Sequence, residues 1–182
     1  MSVDHTMKNQ NYETIIHPIP PTYNADSRVL ILGSFPSVKT REMMYFYGHP
    51  QNRFWKVMAA LFDEPFPATV DERHTFLLEH RIAVWDSIGQ CSIIGSSDSS
   101  IKDVVPNDLS PILKAADIRG IFCNGKKSWE MYHKYIEPST GISAAVLPST
   151  SPANAACRLE DLIDAWRVIL EYLPAVFSTH PQ

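Results

Sequence analysis

The stretch that decides the fold is Val29-Leu30-Ile31-Leu32-Gly33, a continuous apolar run that ends at a glycine. A short apolar run without alternating polar residues is typical of a strand that is buried on both faces, as in parallel sheets. Residues 82–85, 120–123 and 144–147 have the same character. The sequence therefore predicts four buried strands.

Helical patterns separate and follow these strands. They cover residues 52–62, 72–80, 111–116, 128–136 and 159–173, and in the last of them Leu162, Trp166 and Ile169 lie on one apolar face. The alternation predicts an α/β fold, a three-layer sandwich with a mostly parallel four-stranded central sheet flanked by helices. We expect one domain over residues 28–176, an N-terminal extension over 1–27 and a C-terminal tail over 177–182.

Composition excludes several classes of protein. The 182 residues carry a net charge of -4, which excludes a protein that coats nucleic acid through bulk positive charge. Cys91, Cys123 and Cys157 lie more than thirty residues apart, which excludes the usual zinc, iron–sulfur and disulfide patterns. The first 17 residues contain no apolar leader, and no segment reaches the ~18 apolar residues of a membrane span. We expect a cytoplasmic protein without a cofactor.

Polar and glycine-containing segments follow each predicted strand. The first strand is followed by GSFPS (residues 33–37) and later by YFYGHPQNRFW (45–55), the second by Asp86-Ser87, the third by NGKK (124–127) and the fourth by PSTSPAN (148–154). In open α/β sheets, ligands bind at the carboxyl ends of the strands. We therefore expect these segments to converge on one edge of the sheet and to form the functional site.

Three of these segments resemble motifs of the uracil-DNA glycosylase superfamily: GHPQNRFWKV (48–57), CNGKKSWEMY (123–132) and LPSTSPAN (147–154). The chain is similar to the mismatch-specific uracil/thymine branch and more closely to the hypoxanthine-DNA glycosylase branch, over roughly residues 28–166. The resemblance implies a monomeric enzyme that flips a deaminated base out of DNA and hydrolyses its N-glycosidic bond without a metal. Hypoxanthine is the expected base, with uracil as an alternative or additional target.

The resemblance also implies catalytic roles for two asparagines, Asn52 and Asn124. A carboxamide can both accept a hydrogen bond from water and donate one to a base or phosphate. The alternatives are structural: Asn52 precedes a predicted helix, where asparagine caps free N–H groups, and Asn124-Gly125 is a common turn pair. The mismatch branch carries its water-positioning asparagine in the first motif, where this chain has Phe35. A catalytically silent lesion-binding protein of the same fold therefore stays open.

Base recognition is expected from the residues that follow the first two strands. Tyr47 and Phe35 are candidates for stacking on the flipped base, and the alternative is that they fill the core. Asp86 could accept the ring N–H of neutral hypoxanthine or uracil, or could instead cap a turn. Gly33 and Ser34 are expected to line the same base-binding pocket.

Contacts to the DNA backbone are expected from the last motif and from two basic segments. Small polar side chains can bind phosphates, although a helix-initiating turn would use the same residues. Residues 28–56 hold five basic and one acidic side chain, and residues 119–134 hold four and one. The candidate DNA-binding residues are His49, Lys126, Lys127, Ser149, Thr150, Ser151 and Asn154.

Overall fold

The protein is described by a computed structural model over residues 11–175, so the expected tail 177–182 lies outside the described residues. Its strands are β1 (Glu13–Ile16), β2 (Val29–Gly33), β3 (Ile82–Asp86), β4 (Ile88–Ile93), β5 (Lys102–Pro106), β6 (Gly120–Asn124) and β7 (Ala145–Leu147). Four of them form a parallel sheet in the order β3-β2-β6-β7. These four are the strands that the apolar runs predict, and the parallel arrangement is confirmed. The expectation that all four are buried is wrong for β7, which lies at the edge of the sheet and exposes Ala145 and Val146.

Helices cover both faces of the parallel sheet. They are α1 (Val38–Met43), α2 (Phe54–Phe62), α3 (Val70–Glu79), α4 (Ser110–Ala115), α5 (Lys126–Tyr135), α6 (Glu137–Thr140) and α7 (Leu159–Trp166). Val29 and Ile31 face the core formed with α2, α3 and α7, whereas Leu30 and Leu32 face the core formed with α4 and α5. Alternate side chains of β2 are thus buried on opposite faces, and the three-layer sandwich is confirmed.

Several helix boundaries differ from the sequence prediction by one or two residues, and the end of α7 differs by seven. Helix α2 begins at Phe54 rather than at residue 52, because the Asn52 side chain closes a short turn onto the Phe54 N–H. The predicted helix 159–173 is α-helical only to Trp166 and continues as a 3₁₀ helix over Arg167–Tyr172. Helices α1 and α6, which have six and four residues, were not predicted.

A second sheet, absent from the sequence prediction, is antiparallel and has the order β1-β4-β5. Strand β4 follows β3 after a single residue, Ser87, so the chain passes from one sheet directly into the other. Strand β1 and the buried Ile19 come from the expected N-terminal extension, and Thr22 forms an isolated bridge to Val84. Residues 11–27 therefore pack against both sheets. No helix between residues 11 and 175 is long and apolar enough to cross a membrane.

Candidate active site

A cavity of about 510 Å³ lies at the carboxyl ends of the parallel strands. Gly33 ends β2, Asp86 ends β3, Asn124 ends β6, and Ser149 follows β7. All four line the cavity, so the strand order brings together the segments that the sequence analysis singled out. The candidate residues in its wall are Gly33, Ser34, Phe35, Tyr47, His49, Asn52, Asp86, Asn124, Ser149, Thr150 and Ser151.

Thr150 is the centre of a hydrogen-bond network that joins the two candidate asparagines. It is fully buried. Its backbone N–H donates to Asn124 Oδ1 (3.0 Å), and its hydroxyl accepts from Asn124 Nδ2 (2.9 Å). The hydroxyl proton is then available for Asn52 Oδ1, which lies 2.8 Å away. Thr150 therefore supports the pocket wall from behind, rather than offering a free hydroxyl to a phosphate.

The network fixes which end of the Asn52 carboxamide faces the cavity. Asn52 Oδ1 accepts from the backbone N–H of Phe54 (3.0 Å) and from the Thr150 hydroxyl (2.8 Å). A backbone N–H can only donate, so the atom that meets it is the oxygen. Both lone pairs of that oxygen are engaged, and among the described residues the Asn52 amide NH₂ makes no hydrogen bond. Asn52 therefore presents a donor to the cavity.

Tyr47 forms the aromatic wall of the cavity. Its ring stacks on Phe54, with 4.1 Å between ring centroids, and its backbone has a φ of 53°. Tyr45 and Phe46 are buried core residues, as the alternative interpretation of this aromatic run requires, whereas Tyr47 is half-buried. Burial and then the Asp86 carboxylate raise the pKa of Tyr47, so its hydroxyl keeps its proton. That hydroxyl is buried and has no partner among residues 11–175.

Asp86 lies on the floor of the cavity and contacts a residue that the sequence analysis did not identify. His17 Nε2 lies 2.6 Å from Asp86 Oδ2, and both side chains are almost completely buried. His17 comes from the segment between β1 and β2, which carried no recognised motif. A histidine in a polar segment of Pro and Thr residues gives no pattern in sequence, so only the fold reveals this contact.

A second carboxylate lies at the rim. Asp98 begins a 3₁₀ turn between β4 and β5 and accepts a hydrogen bond from the Ser34 hydroxyl at 3.3 Å. Desolvation raises the pKa of Asp98, while the Ser34 hydrogen bond and the positive charge of Lys127 oppose the rise. Lys127 lies in the first turn of α5 and does not line the cavity.

Arg53 holds the loop between β7 and α7 in place. Its guanidinium donates to the carbonyl oxygens of Ser151 (3.0 Å), Asn154 (3.0 Å) and Cys157, and its backbone N–H donates to Thr150 O (3.0 Å). The Arg53 side chain thus binds three separate carbonyl groups of this loop. Arg53 was missed as a functional residue because its role depends on carbonyl groups about a hundred residues away.

The remaining candidate DNA-binding residues divide into two groups. His49, Ser149 and Ser151 line the cavity and also close short turns, in which each side chain accepts from the backbone N–H two residues ahead. Outside the cavity, Asn154 Nδ2 donates to Ser149 O, and the exposed Lys126 lies 3.8 Å from Glu130. No group of three metal-ligating side chains occurs among the described residues.

Comparison with known proteins matches this fold and site to one family. The family model described as the uracil DNA glycosylase superfamily matches residues 20–173. This chain belongs to the uracil-DNA glycosylase superfamily. The family resemblance inferred from the three motifs is thereby confirmed, and the match extends into the segment that precedes residue 28.

Relatives within the uracil-DNA glycosylase superfamily include two archaeal proteins named hypoxanthine DNA glycosylase, from Methanosarcina acetivorans and Methanosarcina barkeri. Each is 33% identical to this chain, over 137 and 138 residues, which is 74% of this chain and 85% of the relative. A solution NMR structure from M. acetivorans, of a protein described as a candidate uracil DNA glycosylase, is 30% identical. It superposes with a TM-score of 0.71 and covers 86% of this chain and 99% of that one.

Residue 33 is confined to glycine because the Asp86 carboxylate occupies the space that a side chain would need. A Cβ atom at residue 33 would lie 2.2 Å from Asp86 Oδ1 and 3.3 Å from the Tyr47 hydroxyl. We expect Gly33→Ala to displace the carboxylate and to lower the activity of this superfamily member by about 100-fold, the loss typical of a misplaced active-site group. The measurement is single-turnover base excision, with thermal unfolding as a check of the fold.

A double-mutant cycle identifies the cause of that loss. If Gly33→Ala acts by displacing the carboxylate, it should cost little more when Asp86→Ala has already removed the clashing atoms. Two fully additive losses would contradict this explanation.

Proposed function

We propose that the protein is a monofunctional DNA glycosylase that removes hypoxanthine from deoxyinosine in DNA. The C1'–N9 bond of the flipped nucleotide breaks with its electron pair passing to the base. Water then bonds to C1' and loses a proton, which neutralises the released base anion, and a hydroxyl remains on the abasic sugar. Membership of the superfamily and relatives named hypoxanthine DNA glycosylase support this proposal. We further expect the enzyme to act in the cytoplasm as a monomer, without a metal or an iron–sulfur cluster.

The observation that carries the proposal is the fixed orientation of Asn52. Negative charge develops on the base as the glycosidic bond breaks, and a donor held in advance at that place stabilises the transition state. Two hydrogen bonds to Asn52 Oδ1 leave the amide NH₂ as the group that faces the cavity. Asn124 supports this arrangement through Thr150, and we propose it as a positioning residue for Asn52 that also lines the cavity.

The cavity also contains what a flipped base requires. A volume of about 510 Å³ lies within the ~300–1,000 Å³ that is usual for small-ligand pockets. Tyr47 offers an aromatic surface to a bound base. Phe35 lines the cavity and is buried in a small hydrophobic cluster. Asp86 supplies an acceptor for the ring N–H of hypoxanthine. Uracil carries an equivalent N3–H, so we propose it as an additional target.

DNA backbone contacts would come from the loops around the mouth of the cavity. Ser149, Ser151 and His49 line it, and Lys126 and Lys127 begin the helix that follows Asn124. No lysine lines the cavity among residues 11–175, which supports hydrolysis by water over a Schiff-base mechanism. The enzyme would then leave an abasic site and an intact strand.

We expect the purified protein to convert an end-labelled duplex that contains deoxyinosine into one that breaks at the lesion only after alkali. Parallel duplexes carry deoxyuridine, deoxyxanthosine or no lesion, and mass spectrometry identifies the released base. Borohydride should trap no covalent complex, because no lysine lines the cavity. Free hypoxanthine with an alkali-sensitive strand supports the proposal.

The same experiment tests the alternative of a catalytically silent lesion-binding protein. Phe35 stands where the mismatch branch has its water-positioning asparagine, which is the observation that favours this alternative. Selective binding of the deoxyinosine duplex without release of a base would establish the silent protein and overturn the proposed activity. Release of uracil alone would instead reassign the substrate.

A further inference from the structure

His17 lies beneath the cavity in a setting that fixes its position. Its side chain is 2% exposed, and its Nε2 lies 2.6 Å from Asp86 Oδ2. The rings of Phe35 and Trp85 pack edge-on against the imidazole, with centroid distances of 5.8 and 6.1 Å. An ordered residue from the N-terminal segment thus contacts a cavity-lining carboxylate.

The hydrogen bonds determine where the His17 ring carries its proton. The backbone N–H of Ile19 donates to His17 Nδ1 at 3.2 Å. Because a backbone N–H can only donate, Nδ1 holds a lone pair and the proton is on Nε2. The ring is therefore neutral, and it donates through Nε2 to Asp86 Oδ2. This arrangement requires the carboxylate to act as an acceptor.

The second oxygen of Asp86 is left for the cavity. Oδ1 points at Gly33, since it would lie 2.2 Å from a Cβ atom placed there, and Asp86 lines the cavity wall. Asn107 Nδ2 donates to the backbone carbonyl of Asp86 at 2.8 Å and steadies the end of β3. His17 thus determines which carboxylate oxygen faces a ligand.

We propose that His17 is a positioning residue that sets base selectivity by holding Asp86 Oδ2, so that Oδ1 is turned toward the base as a hydrogen-bond acceptor. The inference rests on the proposed function and concerns bases with a ring N–H beside a carbonyl. Adenine N1 and cytosine N3 carry lone pairs, which the carboxylate repels. Deamination converts these atoms to the N1–H of hypoxanthine and the N3–H of uracil, which the carboxylate accepts. The pair would therefore separate hypoxanthine from adenine and uracil from cytosine.

The test compares His17→Phe, which fills the space but cannot donate, with His17→Gln, whose amide NH₂ can still reach Asp86. His133→Phe is the matched control, because His133 also lies 2.6 Å from a carboxylate, that of Glu137, but is exposed and outside the cavity. Single-turnover excision is measured on duplexes with hypoxanthine or with 1-methylhypoxanthine, in which a methyl group replaces the N1 proton. Thermal unfolding of each variant establishes that it is folded.

We expect His17→Phe to lower hypoxanthine excision by about 10- to 100-fold, the range for losing a hydrogen bond to a charged group. It should also narrow the preference for hypoxanthine over 1-methylhypoxanthine. His17→Gln should recover most of both properties, and His133→Phe should change neither. Long-range ¹H–¹⁵N correlation spectra of the wild-type protein should show His17 as the Nε2–H tautomer.

Two results would overturn the role of His17: an Nδ1–H or doubly protonated ring in the spectra, or unchanged rate and base preference in His17→Phe. Failure of the proposed function would give a different result, because the wild-type protein itself would then release no base. Wild-type protein that releases no base can still be titrated with free hypoxanthine and followed at the Asp86 backbone amide. Weaker binding by His17→Phe in that titration would support the positioning role, and equal binding would refute it.

Discussion

Asn52→Ala should lower the rate of hypoxanthine excision by about 10²- to 10³-fold, the usual loss when one preorganised donor is removed from an active site. The amide NH₂ faces the cavity because Phe54 N–H and the Thr150 hydroxyl both bind the oxygen. Removing the side chain deletes that donor at the place where the base becomes anionic. The effect should appear in the single-turnover rate more than in affinity for the lesion duplex.

Asn52→Asp distinguishes the two possible uses of this side chain. One carboxylate oxygen can keep the hydrogen bonds to Phe54 and Thr150, while the other replaces the donor with a negative charge. If Asn52 acted by accepting a proton from water, the aspartate would retain or raise activity. We expect instead a loss at least as large as that of the alanine variant, because a carboxylate repels the departing base.

A matched control for both variants is Asn24→Ala. The Asn24 Oδ1 accepts from the Asp26 backbone N–H at 3.0 Å, the same local turn that Asn52 forms with Phe54, but Asn24 does not line the cavity. Its replacement should leave excision unchanged. An Asn52→Ala enzyme with wild-type excision rates would refute the catalytic role of Asn52.

The sequence was sufficient to predict the central sheet because each of its strands is locally distinct. A strand covered by helices on both faces needs consecutive apolar residues, as in Val29 to Leu32, and the shortness of that run and the glycine that ends it favour a strand over a buried helix. The strands of the antiparallel sheet lack it. Lys102 and Asp103 of β5 are exposed, and a half-exposed strand of five residues with a charged start does not differ clearly from a loop.

The candidate site was predictable in outline but not in its internal connections. The carboxyl ends of parallel strands lie at one edge, so residues that follow Gly33, Asp86 and Asn124 had to meet. The orientation of the Asn52 side chain depends on Thr150, 98 residues away. The orientation of the Asp86 carboxylate depends on His17, 69 residues away. Such pairings are decided by tertiary packing, and a single sequence contains no local pattern that records them.

Arg53→Ala should lower the free energy of unfolding by about 2–4 kcal/mol, because charged hydrogen bonds to buried groups contribute about 1.5–3 kcal/mol each and part of the loop can relax to water. The guanidinium binds the carbonyl oxygens of Ser151, Asn154 and Cys157. Without it, the loop that carries Thr150 loses its anchor. We therefore expect excision to fall together with stability, measured by denaturant unfolding and single-turnover assays.

Two further variants distinguish the anchoring role of the Arg53 guanidinium from the effect of its positive charge. Arg53→Lys keeps the positive charge but cannot present donors to three carbonyl groups in a planar fork, so most of the stability should still be lost. Arg158→Ala removes an exposed arginine that follows the same loop and binds Asp161, a solvent-screened surface pair whose removal should change stability far less than Arg53→Ala. Equal stability losses in Arg53→Ala and Arg158→Ala would contradict the anchoring role.

The salt dependence of DNA binding distinguishes an anchor from a phosphate contact. An arginine that neutralises a phosphate contributes about one unit to the slope of log K against log salt concentration. All three carbonyl acceptors of Arg53 belong to the protein, so both terminal nitrogens of the guanidinium already bind this loop before DNA binds. Arg53→Ala should therefore weaken duplex binding at every salt concentration without changing this slope, and a slope reduced by one unit would reassign Arg53 to the DNA interface.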